Sequence, residues 1–145
     1  MYTPNDAKKL IIMRKDLVTD LNICEAIYQG YDVSIDPEIT KHIQMLQCQI
    51  SIIDSLFNIV NHTELFVIRS RLIDGMDWPQ ISTRYKQFWG IEEGLSTRTL
   101  QIRLNRGLSK MARAMNQRSK VPWNSVLNTH SCWSVTEADK TDSLE

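Results

Sequence analysis

Between Ser96 and Arg113 the sequence gathers side chains suited to an anionic, hydrogen-bonding polymer. Ser96, Thr97 and Thr99 bring hydroxyls to the start of a run that also carries Arg98, Gln101, Arg103, Asn105, Arg106, Lys110 and Arg113. A guanidinium offers donors in a planar fork that fits guanine edges or phosphate oxygens, and Gln can pair a donor and an acceptor with adenine. Ile102 stands among these cations. An isoleucine is out of place on a purely solvated basic face, but it suits an apolar group such as a thymine methyl in the major groove. The plain alternative is a basic helix face turned to water.

A helix is needed to align these groups. Ser96 is the expected N-cap, and Leu100, Leu104, Leu108, Met111 and Met115 fall within about 40° of one line at about 100° per residue. Arg98, Ile102, Asn105, Arg106, Lys110 and Arg113 then occupy the opposite side. A shorter helix should precede it. Asp77 is its expected cap, with Gln80 completing a capping box and Met76 and Ile81 forming a staple. Trp78, Ile81, Tyr85 and Phe88 make its expected buried face, and Gly90 ends it. Residues 63–76 should form a helix before that, capped by Thr63, turning Leu65, Ile68 and Leu72 inward and stopping at Gly75. Two helices joined by a turn, the second basic and Ser-capped, follow the pattern of a helix-turn-helix.

The stretch RLIDGMDWPQIS followed by STRTLQIRLNRGLSKM resembles region 4 of sigma-70 factors. More closely, it resembles the sigma-region-4-like regulators of temperate phages, the RinA/ArpU-type late-gene activators and their relatives. The matching positions are Ile73-Asp74-Gly75, Asp77-Trp78, Ile81-Ser82, and Ser96, Thr99, Leu100, Arg103, Leu104, Arg106, Gly107 and Leu108. The likeness covers about residues 63–116. It departs from the family in the gap from Ile81 to Ser96, which YKQFWGIEEGL lengthens. The resemblance implies DNA binding and favours activation over repression.

The first half reads as a helical hairpin. Thr3, Pro4 and Asp6 are start signals, and Leu10, Met13, Leu17, Leu21, Cys24 and Tyr28 trace one face up to Gly30. Asp36-Pro37-Glu38 opens a second helix. Ile39, Ile43, Leu46, Ile50, Ile53 and Phe57 keep a heptad rhythm, a seam that a second copy of the chain, the second half of this one, or both would cover. After Lys120 the periodicity stops. The expected organisation is therefore all-α in three parts. Residues 1–62 form a hairpin for oligomerisation or partner binding, 63–118 a three-helix sigma-region-4-like DNA-binding unit, and 119–145 a mostly disordered acidic tail. Trp123 and Trp133 are the tail's candidates for docking on the body or on a partner.

Charge distribution agrees. The net charge is zero. Residues 1–68 hold 5 basic and 9 acidic side chains (−4), residues 69–120 hold 11 and 4 (+7), and residues 121–145 hold 1 and 4 (−3). A basic segment between acidic ones points to an anionic partner for the middle. Three dispersed cysteines, Cys24, Cys48 and Cys132, suit a reducing cytoplasm, that of the bacterial host for a phage-borne chain. No apolar run is long enough for a membrane span. Cys24, Cys48 and Cys132 with His42, His62 and His130 show no metal-ligand spacing, and there is no phosphate loop or nucleophile motif. No metal, cofactor or enzymatic activity is expected.

These features lead to a sequence-specific, double-stranded-DNA-binding regulator of phage or mobile-element type, with RNA polymerase and a second copy of the chain as further expected partners. An antitermination factor is a close variant. A small-terminase-like packaging protein is an alternative, although such proteins usually place the DNA-binding part first. A helical protein-interaction module without DNA binding is the third reading.

Overall fold

Helix α1 begins where Thr3 and Asp6 exchange hydrogen bonds. The Thr3 N–H donates to Asp6 Oδ2 at 2.9 Å, and the Asp6 N–H donates to Thr3 Oγ1 at 3.3 Å. The helix runs Pro4–Gly30. In this computed structural model residues 1–30 and 37–128 are described. The following elements are α2 (Pro37–Phe57), α3 (His62–Ile68), a π-helical turn (Arg69–Ile73), α4 (Trp78–Trp89), α5 (Thr97–Gln117) and α6 (Trp123–Leu127). Among the described residues there is no strand, and no helix is long and apolar enough to cross a membrane. The chain is all-α. The expected cap Asp36, and His130, Cys132 and Trp133, lie outside the described residues.

Helices α1 and α2 pack side by side, and Arg14 in the first half of α1 pairs with Asp54 near the end of α2 at 2.6 Å, so the two run antiparallel. Leu46, Ile53 and Phe57 of the heptad seam are buried in the chain's own core, together with Gln49 and Leu56. They therefore present no surface to a second copy. Ile39, Ile43 and Ile50 are half-buried at the margin of that face. On α1 the buried stripe is Ala7, Leu10, Ile11, Leu17, Asp20 and Cys24. Met13, Leu21 and Tyr28, expected inside, are half-buried. The stripe is wider than one seam because α1 packs against α5 and α6 as well as α2.

The cap of α3 is Asn61, not Thr63. Asn61 Oδ1 accepts from the Glu64 N–H at 2.8 Å, and Glu64 Oε1 accepts from the Asn61 N–H at 3.0 Å. This reciprocal box satisfies two donors that the start of a helix leaves open. The expected single helix over 63–76 instead changes pitch at Arg69, where the Asp74 N–H reaches the Arg69 carbonyl five residues back. Gly75 takes the left-handed conformation, with φ +68°, as its place in the turn demands.

One apolar cluster draws on all three parts of the chain: Leu10, Leu17, Leu46 and Ile53, then Ile68, Ile81, Leu100 and Met111, then Trp123 and Val126. Packing does not follow boundaries at 62 and 118. The tail from 119, expected to be mostly disordered, includes the short helix Trp123–Leu127. Trp123 is fully buried and donates its indole N–H to the Arg118 carbonyl at 3.0 Å, just where α5 ends. A large aromatic side chain that finds both a cavity and an acceptor outweighs the poor helix-forming character around it.

Candidate nucleic-acid interface

The elements around α5 are fixed first. Asp77 and Gln80 form the expected capping box at the start of α4, with bonds of 2.9 and 3.1 Å. Gly90 closes α4 in the left-handed conformation. Ile81 and Tyr85 are buried as expected and Trp78 is half-buried. Phe88 is not buried but 71% exposed. It lies against Phe66 and Trp89 at the outer edge of an aromatic cluster, in which Tyr85 and Trp89 stack with centroids 4.3 Å apart. This cluster braces the C-terminal end of α4 on α3. Arg84 adds a second brace through its 2.6 Å ion pair with Asp74.

The long connection back to α5 is tied down near its end. Ser82 Oγ donates to the Leu95 carbonyl at 2.8 Å. The absence of a side chain at Gly94 permits this approach, because a Cβ there would collide with Ser82 Oγ. One residue later Ser96 caps α5, accepting from the Thr99 N–H at 3.2 Å, and its hydroxyl also bonds Thr99 Oγ1 at 2.9 Å. The inner face of α5 is the expected stripe: Leu100, Leu104, Leu108, Met111 and Met115 are all buried. Gly107 sits against α3, where a Cβ would fall 2.7 Å from Ile68 Cδ1.

The candidate recognition residues divide into two groups. Thr97, Arg98, Gln101, Ile102, Asn105, Arg106 and Arg113 are exposed, and Ile102 is 46% accessible. None of these seven side chains forms a hydrogen bond or ion pair with another described element. Ser96, Thr99, Arg103 and Lys110 are engaged within the fold. Ser96 and Thr99 bond each other. Arg103 Nη1 donates to Tyr85 Oη at 3.0 Å, with its guanidinium over the Tyr85 ring. Lys110 Nζ, expected on the outer basic face, donates instead to Glu64 Oε1 at 2.8 Å. Glu64 is 1% exposed, so Lys110 is the counter-charge of a buried carboxylate. Burial raises the Glu64 pKa. The Lys110 hydrogen bond, the Asn61 N–H, and the charges of Lys110 and Arg106 outweigh that effect and bring it below the ordinary value.

Sequence reading did not single out Glu64, Tyr85 as a holder of Arg103, or Ser82 as the tether of the turn. The spacing of Asn61 and Glu64 is itself a capping-box signature that could have marked the first. The outward face of α5 thus carries three arginines and two amides around one isoleucine, and α5 contains no Asp or Glu. Its guanidiniums can donate to phosphate oxygens and its amides can pair with base edges, and no carboxylate on α5 would repel them. Comparisons with protein-family models, curated proteins and solved structures find no match to this chain.

Proposed function

We propose that the chain is a sequence-specific double-stranded-DNA-binding transcription regulator of phage or mobile-element type. In this reading α4 and α5 act as a sigma-region-4-like helix-turn-helix with α5 in the major groove. The observation that carries it is the acid-free outer face of α5, where Arg98, Arg106 and Arg113 are exposed around Gln101, Ile102 and Asn105. An α-helix fits the major groove, and cations along it meet phosphates on either wall. The N-terminal end of α5 adds the positive end of the helix dipole, which favours an anion. Activation rests on the family resemblance alone.

Selection of bound duplexes from a random pool, followed by titration at several salt concentrations, tests the reading. Two or three phosphate contacts give a log K against log salt slope of about −2 to −3. Lack of any duplex affinity at low salt rejects it. The exposed aromatic edge of Phe88 beside Phe66 and Trp89 favours a second reading, a helical module that binds protein. Under that reading Phe88→Ala abolishes partner binding and α5 substitutions do not.

A further inference from the structure

We infer that Gln101, Ile102 and Asn105 make α5 a reader of A·T base pairs, with guanine specified only toward its N-terminal end by Arg98. This rests on the double-stranded-DNA reading and names the base chemistry that face would take.

The argument starts from which donors the fold withdraws. Helix α5 carries five cationic side chains, Arg98, Arg103, Arg106, Lys110 and Arg113. Arg and Lys are donor-only groups, and the base edge they match is guanine, with its two acceptors. Arg103 is bound to the Tyr85 hydroxyl, and Lys110 to the buried Glu64 carboxylate. Each commits a donor to the fold and is only half-exposed, so neither stands as open as the outer-face residues. Arg113 lies fifteen residues beyond Arg98 along the helix, about 22 Å at about 1.5 Å per residue, too far from the N-terminal end to share its base contacts. Arg106 sits about 80° around the helix from Arg98, toward the flank where groove wall and phosphate lie.

What remains at the centre is Gln101, Ile102 and Asn105, all exposed. Each amide offers one donor group and one acceptor, the pair that adenine N6 and N7 complete. The isoleucine offers only apolar surface, and the apolar feature of the major groove is the thymine methyl. No acceptor-only carboxylate stands on α5 to take the cytosine amino group. From Arg98 to Asn105 the helix advances about 10 Å, the length of about three stacked base pairs at about 3.4 Å each. Arg98 therefore reaches one end of a short step, and the amides and Ile102 cover the rest.

The test uses the full-length chain and the duplex it selects from a random pool. Each thymine in turn is replaced by deoxyuridine, which removes the methyl and nothing else. At one thymine position the affinity of the unmodified protein should fall about fourfold, the transfer worth of one buried methyl. Ile102→Ala should bind the thymine and uracil duplexes equally. Replacing adenine by 7-deaza-adenine at the neighbouring pairs should cost tenfold or more, and Gln101→Ala or Asn105→Ala should erase that loss. Tight binding with no uracil effect at any position, or a selected core made of G·C pairs, overturns the inference while leaving DNA binding intact. Absence of salt-dependent duplex binding overturns both. The uracil measurement needs no variant, so no folding defect can obscure it.

Discussion

Lys110 Nζ and Glu64 Oε1 lie 2.8 Å apart and join α5 to the capped first turn of α3. The same carboxylate oxygen also accepts from the Asn61 N–H. One buried acid therefore closes a helix cap and anchors the basic helix. Its pKa is lowered in the fold, with burial opposing the shift and the Lys110 bond leading the groups that overcome it. A carboxyl whose folded pKa lies below its unfolded value, about 4.3, contributes fully above that value and loses the contribution as pH falls through the folded one. We predict that Glu64→Gln is less stable than wild type at pH 7 and that the two unfolding curves converge as the pH drops from about 5 toward 3. Denaturant titrations at a series of pH values measure the difference. A constant gap across that range shows that Glu64 contributes by shape and not by charge.

Removing the cation is the harsher change. Lys110→Met leaves the buried Glu64 carboxylate with only backbone and distant charge for support. Breaking a fully buried pair costs about 3–5 kcal/mol. Lys110 keeps a side-chain accessibility of 36%, so water screens part of the loss. A cost of about 1–3 kcal/mol is expected in the denaturant midpoint. Arg106→Ala should behave in the opposite manner, with nearly unchanged stability and a salt slope of duplex binding flatter by about 0.9. If Lys110→Met flattens the slope and Arg106→Ala does not, the two cations have been assigned the wrong way round.

Local signals in this chain were legible apart from the α3 cap, where Thr63 was read in place of Asn61, and distant ones were not. The Thr3, Asp77 and Ser96 caps depend on residues within three positions, and each stands where the spacing put it. The α5 stripe from Leu100 to Met115 is buried throughout because five large apolar residues leave that helix one way to face the core. Lys110 read as an outer-face cation and Arg103 as a DNA contact since their partners, Glu64 and Tyr85, are 46 and 18 residues away. Phe88 continues the period of Ile81 and Tyr85, yet the chain turns at Gly90 before anything covers it. The change of pitch at Arg69 has no local signature. Trp123, Val126 and Leu127 do carry helical spacing, but a helix of five residues is too short to stand without the core it fills.

Trp123 measures that last point. It is fully buried, and Val126 beside it is 1% exposed. Replacing a buried Trp by Ala costs about 3–5 kcal/mol, most of it transfer free energy plus the cavity left between α6 and its neighbours. Trp123→Ala should therefore lower the unfolding midpoint sharply, and a chain ending at residue 120 should fall at least as far. Far-ultraviolet dichroism during thermal unfolding reads both. A chain ending at 120 with wild-type stability shows that α6 merely rests on the core.

The joint between α4 and α5 gives a sharper test, because two substitutions address one bond by different means. Ser82→Ala deletes the hydroxyl that donates to the Leu95 carbonyl. Gly94→Ala keeps the hydroxyl but places a methyl group in collision with it and 3.1 Å from the Ser82 carbonyl oxygen. That oxygen belongs to the α4 backbone and has little freedom to yield, so the turn must move. Each single variant should lose about 1 kcal/mol, the worth of an ordinary hydrogen bond. The double variant should lose much less than the sum, since Ala at 82 removes both the bond and the atom that obstructs a Cβ at 94. Fully additive losses show that Gly94 and Ser82 act independently. The same pair separates stability from recognition. If this tether aims the N-terminus of α5, both variants should blur the sequence preference in duplex selection, while the salt slope, which would count phosphate contacts alone, stays as in the wild type.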